Sequence, residues 1–427
     1  MHDAIIIGAG AAGLAAASIL RESGLDIAIL EARQRSGGRC WSVTHSSAPL
    51  PLELGAEFVH GSAEDTEKLA ARAGVLVNDV AGTQWRVRGK RLTKQDDFFS
   101  RVGRVMSRLP QKGPDISFGE FLDGEPGGAS LAQDRMLARS FVQGFHAADL
   151  DRISARALAE AGNPGEDESA ARHGRTIGGY TALLAPLLHD VSDRIHYDEA
   201  VRRIQWERGH VAVETGTRVF EARAAIVTLS PGVLQSGDVV IDPLPRSLTR
   251  ALGGIAMGSV ARVTLLFDQR FWEQDIIGGV PANASLTDLS FLHTPQSPFN
   301  IWWTQYPLRT PVLVGWSGGP PGAKVNAEGA AERALPELAK QLGVTRRRLE
   351  SMLVATFHHD WDADPFSRGA YSYAVVGGAT ASQRLARPIE GTLFIAGEAT
   401  AAEHSGTVEG ALKSGYRAAR LILQARG

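Results

Sequence analysis

The 427-residue sequence predicts an α/β chain in which a parallel-sheet domain is interrupted by a second, α+β domain of mixed sheet and helices. Three observations predict it. A fully apolar strand, Ala4 to Ile7, runs straight into the glycine cluster Gly8-Ala9-Gly10-Ala11-Ala12-Gly13 and a helix. From about Gly82 to Gly174 the composition turns polar and mixed. The opening character then returns in the buried runs Ala224 to Leu229 and Thr392 to Ala396.

The first helix is expected to continue to about Ser23, where Gly24 supplies a C-terminal stop, and Ile27 to Leu30 forms the next strand. That completes a strand, helix, strand unit of about 30 residues around a GxGxxG pattern. Each glycine has a reason. Gly8 allows the tight turn, Gly10 lets a pyrophosphate approach the backbone, and Gly13 lets helix and strand pack closely. The helix N-terminus offers free amides to the anion. Glu31 follows Gly13 by 18 residues, at the strand end, where a carboxylate can accept from both ribose hydroxyls and would repel a 2′-phosphate.

Within the inserted region, Trp85 to Leu92 is a candidate hairpin. Phe98, Val102, Val105, Met106 and Leu109 keep helical spacing, and Ser117 with Glu120 makes a capping box before Phe121 and Leu122. The Gly- and charge-rich stretch Asn163 to Gly174 is expected to be a surface loop. Short strands follow at Ile195 to Tyr197, Val201 to Trp206, His210 to Glu214 and Arg218 to Glu221. A last helix runs from Val408 to about Gln424.

Composition excludes several classes. Lys plus Arg total 45 against 47 acidic residues, which leaves no basic excess for a nucleic-acid backbone. No apolar run approaches the roughly 18 residues of a membrane helix, and Ala4 to Ile7 is too short for a signal-peptide core. A lone cysteine, Cys40, forms neither an intrachain disulfide nor a multi-cysteine metal site, so a reducing, cytoplasmic setting is expected. No metal is expected: His358 and His359 would point to opposite faces of a strand.

Gly37-Gly38-Arg39, close behind Glu31, resembles FAD-binding oxidoreductases. The segment Glu53 to Gly61 is similar to a stretch of flavin-containing amine and polyamine oxidases, as are Thr176 to Tyr180, Val201 to Ile204 and Ala225 to Leu234. Phe271-Trp272, Trp361 with Asp364 to Ser372, Phe394 to Thr400 and Gly406 to Ala411 extend the resemblance from residue 4 to residue 419. It implies a Rossmann-like FAD-binding domain made of residues 1–81, 175–236 and 377–427, and a substrate domain made of 82–174 and 237–376.

Motif and resemblance together assign the cofactor to Gly8, Gly10, Ala12, Gly13, Glu31, Ala32, Arg33, Gly38, Arg39, Gly55, Ala56, Glu57, Val201, Gly397, Glu398, Thr407 and Val408. They assign the reaction to Arg262, Tyr371, His60 and Trp361. The tip of the Val408 helix would stabilise negative charge on a reduced flavin by a dipole term of ~0.3–2 kcal/mol plus amide hydrogen bonds.

Four departures from the patterns of related enzymes carry information. Arg262 stands ten residues before Trp272, where the family usually has lysine. An arginine is effectively always charged, so the usual water-holding role cannot be carried over. Ala370 replaces the cysteine that attaches flavin covalently in monoamine oxidases, so FAD is expected to be noncovalent. Thr407 replaces one tyrosine of an aromatic cage, leaving Tyr371, with Trp302, Trp303 or Trp316 as candidates to complete it. Phe58 takes the place near which L-amino acid oxidases carry an arginine, which favours an amine without an α-carboxylate. Glu57 is a further candidate to attract a cationic substrate.

The resemblance implies oxidation of a primary or secondary amine by hydride transfer to flavin N5, giving an imine and then an aldehyde, with oxygen reduced to hydrogen peroxide. The partners are then a small-molecule amine and oxygen or another electron acceptor, with no nucleic acid or membrane. Arg262 keeps open a dehydrogenase or desaturase with a non-oxygen acceptor, and the incomplete cage with the missing lysine keeps open a flavin-binding partner protein without turnover.

Overall fold

The computed structural model describes residues 1–162, 173–274, 276–281 and 284–426. His2–Ile7 lies parallel to Ile27–Leu30 on one side and to Val219–Val227 on the other, with Ile7 opposite both Leu30 and Val227. Three strand ends therefore converge where Gly8, Glu31 and Thr228 follow, the usual ligand crevice of such a sheet. The sheet continues through His210–Thr215 and Val201–Glu207 to Val240–Asp242. Ile195–His196 closes the opposite edge beside Ile27–Leu30.

Two expected strands, Arg218 to Glu221 and Ala224 to Leu229, are one strand, Val219–Val227. Its first half pairs antiparallel with His210–Thr215, and its second half pairs parallel with Leu393–Ile395. Along one edge the strand serves two partners in succession, while His2–Ile7 holds Ala222 to Val227 on the other edge, so its middle never leaves the sheet. Val240–Asp242, beyond the expected boundary at residue 237, pairs with Val201–Glu207 of this first sheet. Of the expected loop, residues 163–172 lie outside the described residues. His173 and Gly174 open a strand, His173–Thr176, held between Phe58–His60 and Val77–Asp79. Glycine fits there because a Cβ at 174 would stand 2.6 Å from Val77 Cγ1.

The helix Ala11–Glu22 follows the glycine turn. Its residues Ala12, Leu14, Ala15 and Ala16 pack in one core with Leu412, Ala418, Ala419 and Ile422 of the helix Val408–Arg426. The two helices touch at small residues: a Cβ at Gly415 would come within 2.2 Å of the Ala12 carbonyl oxygen. Glu409, buried in the first turn of the last helix, accepts from the Asp65 and Thr66 amides of the helix Glu64–Ala73. It is also paired with Lys413 one turn on, so the carboxylate that would oppose the helix tip's positive field is itself neutralised.

The second sheet runs Leu353–His358, Val260–Phe267, Val312–Gly318, Ile301–Thr304, Leu289–His293, Thr83–Arg88 and Arg91–Lys94. It is antiparallel except where Leu289–His293 meets Thr83–Arg88. The hairpin, the helix Phe98–Met106 and the Ser117–Glu120 capping box all form as the sequence predicts. Strand alternation decides which residues reach the site. In Val260–Phe267, Ala261, Val263, Leu265 and Phe267 enter the sheet's core, which turns Arg262 to the opposite face. In Ile301–Thr304 the same alternation puts Trp302 in that core and Trp303 on the face of Arg262.

Candidate active site

One cavity of about 1220 Å³ runs from the ends of the first sheet's strands to the face of the second sheet. That exceeds the ~300–1,000 Å³ of an ordinary small-ligand pocket. It is lined by every residue the sequence assigned to cofactor or reaction except Gly13. Gly13 acts from behind: a Cβ there would lie 1.9 Å from the Gly8 carbonyl oxygen. Gly8 holds φ +102°, and a Cβ on it would meet Thr228 Oγ1 at 2.5 Å.

Gly10 is different. It has φ −77° and ψ −178°, and the nearest atom to an added Cβ is 3.9 Å away, so the fold leaves this side open for a ligand. Glu31 is buried, with one oxygen accepting from the Ala9 amide and the other from the Arg33 amide. Each oxygen keeps a further acceptor site, which matches a pair of ribose hydroxyls. At the far end Thr407 caps the last helix, its Oγ1 accepting from Gly410 N. The amides of Val408 and Glu409 have no partner among the described residues, and Val408 faces the cavity. These features fit an FAD.

Arg39 and Glu398 do not stand free. Arg39 Nη1 donates to the Ala370 carbonyl and to Glu398 Oε1. The buried Glu398 also accepts from Ser372 N, Ser372 Oγ and Gly406 N. With four donors its acceptor capacity is filled, so Glu398 ties three distant segments together beside the cavity.

Arg262 is held by the same economy. Its Nη1 donates to the Gly55 carbonyl at 2.7 Å and its Nη2 to Glu57 Oε2 at 2.6 Å. Arg175 Nε donates to Glu57 Oε1 at 2.8 Å, and Trp303 Nε1 donates to Oε2 at 3.1 Å. Glu57 is thus enclosed by two guanidinium groups and an indole, all buried, and its single negative charge is outweighed by the two cations beside it, which disfavours a cationic substrate there. Burial lowers the Arg262 pKa from its ordinary value, and the charges of Glu57 and Glu53 oppose that shift. The nearby Glu53 carboxyl is pushed up to about 7 by burial, against hydrogen bonds from Tyr180 N and Ser42 Oγ.

Trp361 is buried, donates Nε1 to the Leu54 carbonyl and packs on Gly55, where a Cβ would be 3.2 Å from its ring. Tyr371 donates its hydroxyl to the Phe145 carbonyl, and its ring lies against Gly406. Of the tryptophans considered for the cage, Trp303 and Trp316 line the cavity and Trp302 does not. His60 faces His173 with ring centroids 4.9 Å apart and Phe145 at 5.3 Å. Burial, assisted by His173, lowers the His60 pKa to about 3, and burial alone lowers His146 to about 4. His293 is also lowered to about 4 by burial, with Arg86 adding to it. His358 Nδ1 donates to the Arg262 carbonyl and His359 Nε2 to the Asp364 carboxylate, so the two are separately engaged. Among the described residues no group of three or more His, Cys, Asp or Glu could hold a metal ion.

The sequence did not single out Arg175, His173 or the helix Ala132–Phe145, which presents Phe141 and Phe145 to the cavity. The i, i+4 spacing of those two rings was the available signal for the helix. Arg175 had none, since its role exists only once its strand pairs with Phe58–His60.

A strand-end crevice that fits a dinucleotide, continued into a ring-lined pocket on a second sheet, is the arrangement a flavin-dependent oxidoreductase needs. The chain belongs to the flavin containing amine oxidoreductase family, whose model matches residues 11–423. It is a flavin-dependent enzyme of amine oxidation. Probable polyamine oxidase 4 of Arabidopsis thaliana is 27% identical over 97% of this chain and 86% of its own length. Lysine-specific histone demethylase 1 homolog 2 of the same plant is 27% identical over 98% of this chain, which spans 58% of that protein. Among solved structures, a putrescine oxidase bound to putrescine superposes with a TM-score of 0.81 at 22% identity, covering 99% of both chains. Cyclohexylamine oxidase from Brevibacterium oxydans IH-35A gives 0.81 at 20% identity, covering 100% of this chain and 99% of that one. At those identities the structures establish the shared fold.

Proposed function

We propose that the chain oxidises a primary or secondary amine and passes the electrons to oxygen, with noncovalent FAD as its cofactor. The observation that carries the reading is the single cavity joining Glu31, Gly10 and Val408 to the rings around His60 and Trp303. Bound FAD would supply the hydride acceptor at N5, yielding an imine that hydrolyses to an aldehyde and, on reoxidation by oxygen, hydrogen peroxide. The chain's own residues set the conditions. Glu31 would hold the ribose, the open side of Gly10 the pyrophosphate, and the Val408 and Glu409 amides the negative pole of the ring system. The ring-lined pocket excludes water and lowers the pKa of an entering amine, which must be neutral to lose hydride. Arg262 places a fixed cation beside the reacting region.

Ala370 at the attachment position and a buried Cys40 whose thiol is pushed up to about 12 by burial both support noncovalent binding. Acid precipitation should therefore release the yellow cofactor into the supernatant. The division into an FAD-binding domain and a substrate domain, and a reducing, cytoplasmic setting, belong to the same proposal. Anaerobic mixing with monoamines, diamines, polyamines and amino acids, followed by aeration with peroxide detection, tests it. Bleaching of the flavin by an amine is expected, and silence across the panel overturns the proposal.

A second reading has a specific observation behind it. Both terminal nitrogens of the Arg262 guanidinium are engaged by Gly55 and Glu57, which favours a dehydrogenase using a non-oxygen acceptor. Rapid reoxidation in air eliminates that reading.

A further inference from the structure

The geometry points to a monoamine with an uncharged, apolar or aromatic skeleton as the substrate class, and to rejection of amines that carry a second ammonium. This rests on the amine-oxidation reading and narrows it. The inner end of the cavity is walled by Phe58, His60, Phe99, Phe145, His173 and Trp303. Their rings form a connected surface, with centroids 5.4 Å apart for Phe58 and Trp303 and 6.1 Å for Phe99 and His173. Such a wall rewards burial of apolar surface.

A second ammonium would need a carboxylate, and the charge of the one buried at this end is already outweighed by two guanidinium groups. Glu57 already accepts from Arg175, Arg262 and Trp303. Glu160, on the helix Ala155–Glu160, and Glu403 also line the cavity, and both are solvent-exposed. An exposed carboxylate returns little to a cation that has left water. The same end carries a positive side chain instead: Arg86 borders the cavity and has no ion-pair partner among the described residues. Burial lowers its pKa from the ordinary arginine value, which leaves it a cation at neutral pH. The imidazoles of His60 and His146 stay neutral, so they neither attract a cation nor repel an apolar group. Ring faces attract cations, but less than the hydration an unpaired ammonium gives up.

The test uses the FAD-loaded enzyme and anaerobic stopped-flow reduction by 2-phenylethylamine, benzylamine and hexylamine against putrescine, 1,6-diaminohexane and spermidine. The expected result is a rate constant over Kd at least a hundredfold larger for hexylamine than for 1,6-diaminohexane, a pair differing only in the distal ammonium. Parity, or preference for a diamine or spermidine, overturns the inference and leaves amine oxidation standing. Failure of all six amines overturns the amine-oxidation reading itself. In Arg86→Glu the hexylamine preference should shrink at least tenfold, and an unchanged ratio overturns the role given to Arg86.

Discussion

Replacing Glu57 by glutamine tests the buried charge assembly most directly. The carboxylate accepts at 2.8 Å from Arg175, at 2.6 Å from Arg262 and at 3.1 Å from Trp303. The side chains of Arg175, Arg262 and Glu57 are 4–5% exposed. Glutamine has nearly the same shape but only one acceptor oxygen, so whichever way the amide turns, its NH₂ meets another donor. Two guanidinium charges then share a dry site without their counter-ion. At an effective dielectric near 20, each contact at such distances is worth on the order of 4 kcal/mol, and breaking a buried pair costs ~3–5 kcal/mol net. Urea unfolding of apo Glu57→Gln should show that loss as a lower midpoint at an unchanged slope. Adding Arg262→Met removes one of the stranded charges, so the double variant should lose at least ~2 kcal/mol less than the two single losses combined. A Glu57→Gln loss under ~1 kcal/mol, or strict additivity, would refute the assembly as described.

Arg262→Lys offers one ammonium where two nitrogens now hold Gly55 and Glu57, and it should alter the rate of flavin reoxidation by oxygen more than the rate of reduction by amine. Equal slowing of both half-reactions counts against the placement. Gly10→Ala makes only ordinary contacts, the nearest at 3.9 Å, so apo stability should stay within ~0.5 kcal/mol while the Kd for FAD rises at least tenfold by flavin fluorescence titration. Gly13→Ala, blocked by the Gly8 carbonyl, should destabilise the apo-protein itself, and identical behaviour of the two variants contradicts the division of labour. Because the folded pKa values of His60, His146 and His293 lie below the unfolded ~6.5, their contribution is complete above pH 6.5 and declines as pH falls toward 4. Each contributes a slope of at most ~1.4 kcal/mol per pH unit, less where cavity water hydrates the ring. Glu53, raised to about 7, acts oppositely by losing stability as pH rises from about 4.5 toward 7. Three groups outweigh one, so the urea midpoint of the apo-protein should fall between pH 6.5 and 5, and a flat profile contradicts the burial of these histidines.

The cofactor half was legible because its requirements are local. A turn that needs positive φ, a small residue under a crossing backbone and a carboxylate at a strand end all leave marks within about 30 residues. Strand boundaries were less visible where one strand changes partners, as Val219–Val227 does. The substrate half resisted because its chemistry is assembled across the chain. Glu57 suggested an open carboxylate until Arg175 and Arg262 arrived from residues 118 and 205 positions away. Its two neighbours in space are invisible to any spacing rule. The neutral state of His60 likewise depends on Phe145 and His173, which reach it through a helix and a strand whose proximity no local pattern records.

The wall proposed to hold the nucleotide is closed by both extremes of the described chain. Gly8 to Ala12 form one side, and Gly397, Glu398, Thr407 and Val408 form the other, with Gly415 seated on Ala12. A nascent chain that has emerged only through the glycine turn has half a receptor. At ribosomal speeds the remaining ~400 residues take roughly 20–80 s. Cofactor capture is therefore a late event in biogenesis, and a ribosome-stalled chain lacking the last helix should emerge colourless even in excess FAD.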